Sequence, residues 1–558
     1  MEYVIFGAAL FLLLLVFIAK GYYDFKKEEK AFIRKLYEGY GKLSEREYSS
    51  EVLSRIARYY EKHKDGFVID DITWNDLNMD EIFINMNFTN SAAGEEYLYY
   101  MLRKPCMSED VLQHREELIQ YFTESEDERV ALQFIFSKLG RMGKFSIHDY
   151  LDYLDALGTR SNSKHYLSIL ILLFSIGFMF VEFTFGILLL LGVIIYNNIV
   201  YFKEKNDIDP YITSFSYIFR LLDTIEKIKA YPNGPIQTEL NELTKYSHSM
   251  NHFKRGSFLL MSSGRMSGSG NPLDLLLDFI RMGFHLDLIK FNQMLAEVRK
   301  HVTEIDGMIT ILGQLEAVIA IGAYRKSLQY YCKPEFIDQL QVTIQDMYHP
   351  LIHNPVTNSI QTNKSVLITG SNASGKSTYL KTVAINCILA QTIHTCLAVS
   401  FQCARFRVCS SMTLRDDVQG GSSYFMVEIK ALKRILDLIK EEGTPVLCFV
   451  DEVLRGTNTI ERIAASTQIL KSLTGQNCLC FAATHDIELT HLLEKEYVNY
   501  HFSEEIEDND INFSYKILNG RATTRNAIKL LGIMGYDSDI IHAAEETASA
   551  FLASGSWT

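Results

Sequence analysis

Two long apolar blocks interrupt the mixed pattern of hydrophobic and polar positions along this chain. The first is an uncharged run over residues 4–19, and the second, YLSILILLFSIGFMFVEFTFGILLLLGVIIYNNIV, covers residues 166–200. As a single helix the second block would be about 50 Å long, which exceeds the hydrocarbon core of a bilayer. Its one charge, Glu182, lies at the midpoint. We therefore predict two short helices, about 166–181 and 183–201, that form a transmembrane hairpin.

The distribution of basic residues predicts how both blocks are oriented in a membrane. The first run is followed by Lys20, Lys26 and Lys27 and by no small-residue cleavage site, so residues 1–20 are predicted to be an uncleaved transmembrane anchor and not a signal peptide. Basic residues flank the second block on both sides, which places both ends of the hairpin in the cytosol. A hairpin buried in a soluble core is the alternative, because each arm is short for a bilayer.

Outside these blocks the pattern divides the chain into helical and mixed regions. Residues 21–72 mix both signs of charge at helical spacing and predict a charged helical linker. Helical periodicity over 73–165 and 203–345 predicts one helical core, which the hairpin at 166–202 interrupts. From 346 to 558 short β-rich runs alternate with helical runs, which predicts an α/β domain.

Composition narrows the class of protein only a little. With 558 residues the chain is long enough for several domains. Its net charge of −13 disfavours a protein that coats nucleic acid, although a local basic face is compatible with that total. The nine cysteines are scattered without a CxxC pair, which is typical of free thiols in a reducing compartment and not of a zinc site.

Residues 370–377 carry the clearest chemical signal. Their sequence GSNASGKS fits GxxxxGK[ST], and it lies between a β-rich run, SVLITG, and a helical run, TYLKTVAINCILAQ, as a phosphate-binding loop requires. In such a loop backbone N–H groups turn toward the phosphates of ATP, Lys376 reaches the outer phosphates and Ser377 offers a hydroxyl to Mg²⁺. The predicted nucleotide contacts are Gly370, Ser371, Asn372, Ala373, Ser374, Gly375, Lys376 and Ser377.

Two further strands end in residues suited to ATP hydrolysis. PVLCFVDEVLRGTN (445–458) contains Asp451, which suits the magnesium ion, and Glu452, which can polarise the attacking water as a general base. The strand CLCFAATH ends in His485, whose imidazole can sense the γ-phosphate. Each feature has a simpler explanation, since strands often end in acids and a histidine often caps a helix or lies on the surface. Together they favour a catalytic site.

Between these elements the sequence DDVQGGSSYFMVEIKALKRIL (416–436) predicts a second anion-binding helix start. Residues 420–423, Gly-Gly-Ser-Ser, open this helix and supply N–H groups and hydroxyls. Because the chain already has a complete phosphate loop, we predict that Ser423 and its neighbours serve the nucleotide of a partner subunit. A simply capped helix is the alternative.

These motifs resemble those of the MutS family of mismatch-repair ATPases. The resemblance rests on TGSNASGKSTYLKTVAINCILAQ, GGSSYFMVEI, FVDEVLRGTNTIERIAAS and FAATHDIELTHL, and it extends over roughly 73–155 and 205–550. It implies a homodimer with composite ATP sites, in which Ser423 reaches the other subunit's ATP and His349 lies near the adenine. The residues that it assigns to ATP, Mg²⁺ and the attacking water are Asn372, Gly375, Lys376, Ser377, Thr378, Asp451, Glu452 and His485.

The chain departs from the family's pattern in two regions that bear on DNA binding. About 50 residues separate the N-terminal anchor from the helical core, too few for the family's mismatch-reading domain. Residues 257–272, SFLLMSSGRMSGSGNP, predict a flexible Ser/Gly loop, with a DNA-contacting tip that carries Arg265 as the alternative.

The predicted fold class is an α-helical core plus an α/β P-loop (ABC-type) ATPase domain, with an N-terminal transmembrane helix and an inserted transmembrane hairpin. The predicted function is that of a multi-pass, homodimeric ATPase of the cytoplasmic membrane. Its cytosolic ATPase domain is predicted to couple ATP to the binding of mismatch-repair-related or branched DNA, without sequence-specific recognition. The alternative is an ABC-like mechanochemical ATPase that acts on the membrane or a membrane partner without DNA. A scaffold that barely hydrolyses ATP is disfavoured because Glu452 is present.

Overall fold

The computed structural model divides the chain into two compact units, each assembled from separate stretches of sequence. Unit 1 comprises Met1–His63, Asn87–Tyr100 and Glu117–Lys326, and unit 2 comprises Lys64–Met86, Met101–Glu116 and Ser327–Thr558. The structure describes residues 2–43, 46–141, 143, 145–231, 234–250, 253–254, 280–371, 374–412, 424–455, 457–475, 477–507, 510–522, 528, 531 and 534–554. The loop predicted at 257–272 therefore lies outside the described residues.

Before the first strand, the described residues with regular structure are helical. These helices are α1 (Glu2–Gly39), α2 (Ser50–His63), α3 (Asp71–Asp76), α4 (Met79–Met86), α5 (Ala92–Arg103), α6 (Glu109–Glu124), α7 (Glu126–Leu139), α8 (Ile147–Ala156), α9 (Ser163–Met179), α10 (Phe183–Lys229), α11 (Gln237–Ser249), α12 (Leu286–Lys300) and α13 (Val302–Ser327). Helices α3 and α4 belong to unit 2, and the division between the units passes through α5 and α6.

Unit 1 is organised around the long helix α10, which packs against α7, α8, α9, α11 and α12. The half of α10 after Tyr201 buries one apolar stripe at helical spacing, with Phe215, Ile218 and Ile225 fully buried. The half before Tyr201 is apolar and mostly exposed. One helix thus serves both as an arm of the hairpin and as a core element of unit 1.

The predicted turn at Glu182 lies between α9 and α10, which pack against each other as a hairpin. The second arm does not end at 201 as predicted, because α10 continues to Lys229. After 201 the apolar residues recur at helical spacing, which supports the continuation, and the helix runs through Pro210, a residue that ordinarily kinks or ends a helix.

Two of the described helices are long and apolar enough to span a membrane, namely the stretch Phe183–Asp209 of α10 and helix α13. They differ in burial, since 17% of the apolar window is buried in the first and 78% in the second. Helix α13 is therefore a core helix of unit 1. The hairpin instead exposes more than half of each of several apolar side chains: Leu170, Phe174, Leu188, Leu191, Ile195 and Ile199.

Helix α1 is continuous from Glu2 to Gly39, so the predicted boundary between anchor and linker at residue 20 is not the end of a helix. In the anchor half, Leu12, Leu13 and Phe17 are exposed. In the linker half α1 packs on α7, where the Phe32 and Phe134 ring centroids are 6.3 Å apart.

A buried carboxyl group in α13 fixes the start of α5. Glu316 is 1% exposed, and its Oε1 accepts hydrogen bonds from the backbone N–H of Asn90 at 2.5 Å and of Ser91 at 3.2 Å. The Ser91 hydroxyl donates to Oε2 of the same carboxyl group. A Cβ at Gly94 would lie 2.6 Å from Glu316 Cδ, so this close approach requires glycine. Glu316 thus satisfies N–H groups at the start of a helix that have no intrahelical partner.

Unit 2 contains two β-sheets. The strands are β1 (Glu335–Phe336), β2 (Val342–Met347), β3 (Asn358–Thr362), β4 (Ser365–Thr369), β5 (Ser400–Cys403), β6 (Arg407–Ser411), β7 (Val446–Asp451), β8 (Cys478–Ala483), β9 (Tyr497–Glu507) and β10 (Asp510–Asn519). The smaller sheet has the order β1-β5-β2-β3 and the larger has the order β10-β9-β4-β8-β7-β6. In the larger sheet every neighbouring pair is parallel except β9 and β10, which form an antiparallel edge.

Helices cover the central strands of the larger sheet, as a parallel sheet requires. The later helices are α14 (Lys376–Ile393), α15 (Tyr424–Lys440), α16 (Thr459–Ser472), α17 (Ile487–Leu492) and α18 (Ser538–Ser554). Val446, Cys448 and Val450 of β7 lie in one apolar cluster with residues of α15, α16 and α17. The alternate residues Leu447 and Phe449 point to the opposite face, where α14 contacts β6, β7 and β8.

A segment far upstream in the sequence completes unit 2. Helix α3 packs on β6, and its Asp76, which is 2% exposed, accepts hydrogen bonds from Ser410 Oγ at 2.7 Å and from the backbone N–H of Met412 at 2.9 Å. The Ser410 N–H donates to Thr73 Oγ1 at 3.0 Å. The sequence boundaries at 72 and 165 do not anticipate that residues 64–86 belong with the strands of unit 2.

Candidate nucleotide site

The parallel register of β4, β8 and β7 brings three loops to one edge of the larger sheet. Val366 of β4 pairs with Phe481 of β8, and Asp451 at the end of β7 pairs with Ala483 of β8. The loops that follow these three strands therefore start side by side at their carboxyl ends. Ligands of open parallel sheets bind at this edge.

The described part of the loop after β4 ends in a left-handed glycine directly before a helix. Gly375 has a φ of 103°, in the left-handed region that favours glycine, and α14 begins at Lys376 directly after it. A Cβ at Gly375 would lie 3.2 Å from Tyr515 Cδ1, so the aromatic ring also restricts this position to a small residue. Ser371 donates its hydroxyl to Glu504. Asn372 and Ala373 lie outside the described residues.

Lys376 is held against its own loop. Its Nζ donates to the carbonyl oxygens of Gly370 at 2.9 Å and Ser371 at 2.7 Å, and the side chain is largely buried. Burial lowers the pKa of Lys376 to about 8, which the negative charge of Asp451 only partly offsets. A cation in this position attracts phosphate oxygens, and its charge changes within the range of mildly alkaline pH.

Ser377 and Asp451 present oxygen atoms to the same point. The Ser377 hydroxyl donates to Asp451 Oδ2 at 2.5 Å, while the buried Asp451 Oδ1 has no hydrogen-bond partner among the described residues. A carboxylate and a hydroxyl are the ligands that Mg²⁺ takes in proteins, together with phosphate oxygens and water. The pair therefore fits the ligand chemistry of a magnesium ion, which these two residues would hold.

Glu452 is held in a conformation that few residues other than glycine adopt. Its φ is 52°, and its backbone N–H donates to the Ala483 carbonyl at 2.9 Å, which ties it to β8. The carboxylate lies 2.6 Å from His485 Nε2 and forms an ion pair with Arg455. Backbone strain of this kind is found where a side chain must be aimed into a site.

The loop after Glu452 is fixed from the opposite side by α15. Glu428, 2% exposed, accepts a hydrogen bond from the backbone N–H of Leu454, whose φ is 58°. Burial raises the pKa of Glu428. Helix α15 begins at Tyr424, and the predicted signature at 420–423, including Ser423, lies outside the described residues.

His485 contacts both ionic groups of the site. Its Nε2 lies 3.4 Å from Lys376 Nζ, in addition to the contact with Glu452. Burial and then the positive charge of Lys376 lower the pKa of His485, so the imidazole is neutral at pH 7. A neutral imidazole can donate from Nε2 to the Glu452 carboxylate.

A cavity of about 640 Å³ opens beside these residues, a volume suited to a nucleotide. Lys376, Ser377, Thr378 and Glu452 line it on one side, and His349 lines it as well. Burial lowers the pKa of His349 to about 4, so this ring is neutral and available for stacking or hydrogen bonding.

Three residues that the sequence reasoning missed also line this cavity: Arg455, Phe502 and Tyr515. Phe502 lies in β9 and Tyr515 in β10, and both supply aromatic surface against which a base can pack. Their positions depend on the return of the β9–β10 hairpin past β4, and no motif marks them. Arg455 has a weak signal, since it follows Asp451-Glu452 within the same short loop.

Comparison with known proteins relates the second half of the chain to one family. Residues 366–552 match the family described as MutS domain V. The DNA mismatch repair protein MutS of Pseudothermotoga lettingae is 30% identical over 268 residues, which cover 46% of this chain and 32% of that protein. The protein of the same name from Thermus thermophilus is 28% identical over 270 residues, which cover 47% of this chain and 32% of that protein. MutS protein homolog 4 of Mus musculus is 29% identical over 295 residues, which cover 48% of this chain and 30% of that protein. The chain thus spans about a third of the length of these relatives.

Proposed function

We propose that this chain binds and hydrolyses ATP at the cavity beside β4, β7 and β8. The proposal starts from the chain's membership of the MutS family, which rests on residues 366–552. The observation that carries the proposal is the convergence of a buried lysine, a serine–aspartate pair and a strained glutamate at one sheet edge. Such an edge, with an α/β P-loop fold of the ABC type, supplies the groups that phosphoryl transfer needs.

Each of these side chains has a distinct role in the proposed reaction. Lys376 would attract the outer phosphates, and Ser377 and Asp451 would hold a magnesium ion, which would supply positive charge beside the phosphate oxygens. Glu452 accepts a proton from the attacking water as a general base. His485, neutral at pH 7, would contact the γ-phosphate, and its Nε2, 2.6 Å from the Glu452 carboxylate, orients that carboxylate.

Because of the Arg455–Glu452 ion pair, the proposed reaction includes a conformational step. A general base needs a free lone pair directed at the water, and the Glu452 carboxylate is already engaged by Arg455 and His485. Arg455 is about half exposed and can swing away when negative phosphates enter the cavity. Hydrolysis in this scheme starts only after that exchange.

The composite site and the membrane attachment are further parts of the proposal. The motif around Ser423 would complete the ATP site of a second subunit, which makes the active form a homodimer. The anchor half of α1 and the hairpin of α9 and α10 would cross the cytoplasmic membrane, with the ATPase domain in the cytosol. Exposed apolar side chains on the hairpin support this attachment, because a soluble surface of that size is disfavoured.

The pKa of Lys376 predicts a pH dependence of ATP binding. Since the lysine is charged below about pH 8 and neutral above it, the Kd for Mg-ATP should be constant up to about pH 8. It should then rise about tenfold by pH 9, as the cationic form is lost. Titration of the purified full chain with a fluorescent ATP analogue from pH 6.5 to 9.5, a range of roughly three units around this pKa, measures the effect.

The variant Lys376→Met is the control for this titration. It should bind ATP more weakly at every pH and should lack the rise above pH 8, because it has no ionisable group at that position. A wild-type Kd that stays flat through pH 9.5, about 1.5 units above the pKa, would contradict the role of Lys376.

The substrate on which the ATP cycle acts is proposed to be DNA with mismatches or branches. This part comes from the relatives, two of which are named DNA mismatch repair protein MutS. We expect one form of DNA among homoduplex, mismatched and branched duplexes to change the ATPase rate of the detergent-purified chain. The change should weaken as salt rises from about 50 to 200 mM, because phosphate contacts release counterions. Glu452→Gln protein gives the blank rate.

An ABC-like mechanochemical ATPase that acts on the membrane or a membrane partner is the second candidate. The observation that favours it is helix α10, which joins the exposed apolar arm to the core of unit 1 without a break. A rate that no DNA changes but that lipid vesicles change would establish this candidate and exclude the DNA role.

A further inference from the structure

The cavity between α9 and α10 differs from the nucleotide cavity in its chemistry. It has a volume of about 1180 Å³ and belongs wholly to unit 1. Toward the turn of the hairpin its walls are apolar, formed by Ile171, Leu188, Leu189 and Val193. A cavity above the range of about 300–1,000 Å³ that small ligands occupy can accept a larger, elongated molecule.

The opposite end of the same cavity is polar and basic. Arg160 and Lys164 before and within α9, and Lys203 in α10, line this end, which we call the basic mouth. The structure gives none of these three cations an ion pair with another described residue. The carboxylates Glu204 and Asp207 also line the mouth, and Glu204 lies 3.3 Å from His165 Nε2. Three cations against two carboxylates leave the mouth with a formal net charge of one positive unit.

Buried polar side chains close the inner wall of the basic mouth. His165 and His285 are 2% and 1% exposed, and their Nδ1 atoms are 3.1 Å apart. His285 Nε2 lies 3.1 Å from the Asn197 carbonyl oxygen, and Asn197 accepts a hydrogen bond from Ser168 at 2.5 Å. This network holds the base of the two arms at a fixed spacing, so the cavity does not depend on a flexible loop.

We propose that this cavity binds one anionic phospholipid, with its phosphate in the basic mouth and its acyl chains against the apolar walls. The inference rests on the proposed membrane insertion of the hairpin. The basic flanks of the hairpin put the mouth on the cytosolic side, where anionic headgroups are concentrated and where basic pockets between membrane helices bind them. A free phosphate would use the mouth but leave the apolar walls without a partner.

The test is lipid retention by the full chain in mild detergent, measured by native mass spectrometry with dioleoyl phosphatidylglycerol and dioleoyl phosphatidylcholine as probes. We expect one retained phosphatidylglycerol, bound at least about tenfold more tightly than phosphatidylcholine. The double variant R160Q/K164Q should lose about 25-fold in affinity for phosphatidylglycerol, at about fivefold per cation. The matched control K227Q/K245Q removes two exposed charges of unit 1 outside the cavity and should change the affinity less than about twofold.

Gly192→Phe tests the apolar part of the cavity independently. Gly192 lines the cavity, and a Cβ there meets nothing within 4 Å, so the larger side chain fills the cavity without a clash at its base. Retention of phosphatidylglycerol should be lost while the melting temperature stays that of the wild type.

Three results would overturn the inference: equal retention of the two lipids by the wild type, equal affinity of R160Q/K164Q and K227Q/K245Q, or release of the lipid by millimolar inorganic phosphate. Extraction of the cell membranes with alkaline carbonate separates this failure from that of the proposed membrane attachment. A chain that resists extraction but retains no phosphatidylglycerol contradicts only the lipid site. A chain that carbonate extracts contradicts the membrane attachment and, with it, the lipid site.

Discussion

Glu452→Gln is expected to lower kcat for ATP hydrolysis by about 10²–10⁴-fold and to leave the Kd for ATP within about threefold of the wild type. Glutamine has the same shape as glutamate, but its amide cannot accept the proton of the attacking water. The backbone of residue 452 is held by the hydrogen bond to Ala483, so the substitution should not displace the loop. Phosphate release under steady state and equilibrium titration with ATP measure the two quantities.

The control for this variant is Glu488→Gln, which removes an exposed carboxylate from the first turn of α17, outside the cavity. Its turnover should stay within about twofold of the wild type. If Glu452→Gln keeps half or more of the wild-type rate, another group activates the water and the assigned base is wrong. If its affinity for ATP collapses together with its rate, Glu452 has a role in binding that the proposed mechanism does not include.

Glu316→Ala is expected to destabilise unit 1 by about 3–5 kcal/mol, because it leaves the N–H groups of Asn90 and Ser91 buried without an acceptor and opens a cavity in α13. Hydrogen exchange of the amides at 90–94 gives a local readout that does not require two-state unfolding of the whole chain. The control Glu304→Ala removes a partly exposed carboxyl group from the first turn of the same helix and should cost less than about 1 kcal/mol. Unchanged exchange at 90–94 in Glu316→Ala would show that this carboxyl group does not hold the start of α5.

Glu316→Gln separates the charge of this carboxyl group from its shape. Burial raises the pKa of Glu316 from its ordinary 4.5 to about 7 in the folded chain. Because the folded pKa lies above the unfolded one, the contribution to stability is complete below pH 4.5 and falls as pH rises toward 7. The stability difference between wild type and Glu316→Gln should therefore shift against the wild type by roughly 2–3 kcal/mol between pH 5 and pH 8. A difference that does not change with pH would contradict the buried titration.

The arrangement of the nucleotide site could be predicted from sequence to the extent that it follows from strand order. Parallel strands end at one edge, so the loop at 370–375, Asp451 and His485 were expected to lie together. The ion pair of Glu452 with Arg455 could not be predicted, because it depends on side-chain conformations in a loop with two left-handed residues. The roles of these side chains in catalysis stay predictions until the variants are measured.

The sequence predicted the fold correctly where a single local sequence feature determines the structure. A single charge in an apolar block predicted the turn at Glu182, and β-rich runs predicted the α/β part. The extension of α10 to Lys229 was missed because the sequence changes near 201 from a uniformly apolar pattern to a mixed apolar and polar one, while the helix continues without a break. The assignment of residues 64–86 to unit 2 was missed for a different reason. Its local pattern is helical like that of its neighbours, whereas its contacts with β6 involve residues more than 300 positions away.

Those distant contacts have a consequence for the order in which the chain folds during its synthesis. Asp76 and its partner Ser410 are separated by 334 residues. At about 5–20 residues per second, a ribosome needs roughly 20–70 s to make the second after the first. During that interval α3, which carries the buried Trp74, has no β6 to pack against. Unit 1 and its hairpin are complete in sequence by Lys326, so they leave the ribosome before unit 2 can close. Residues 64–86 therefore wait without their strand partners until the later part of unit 2 emerges.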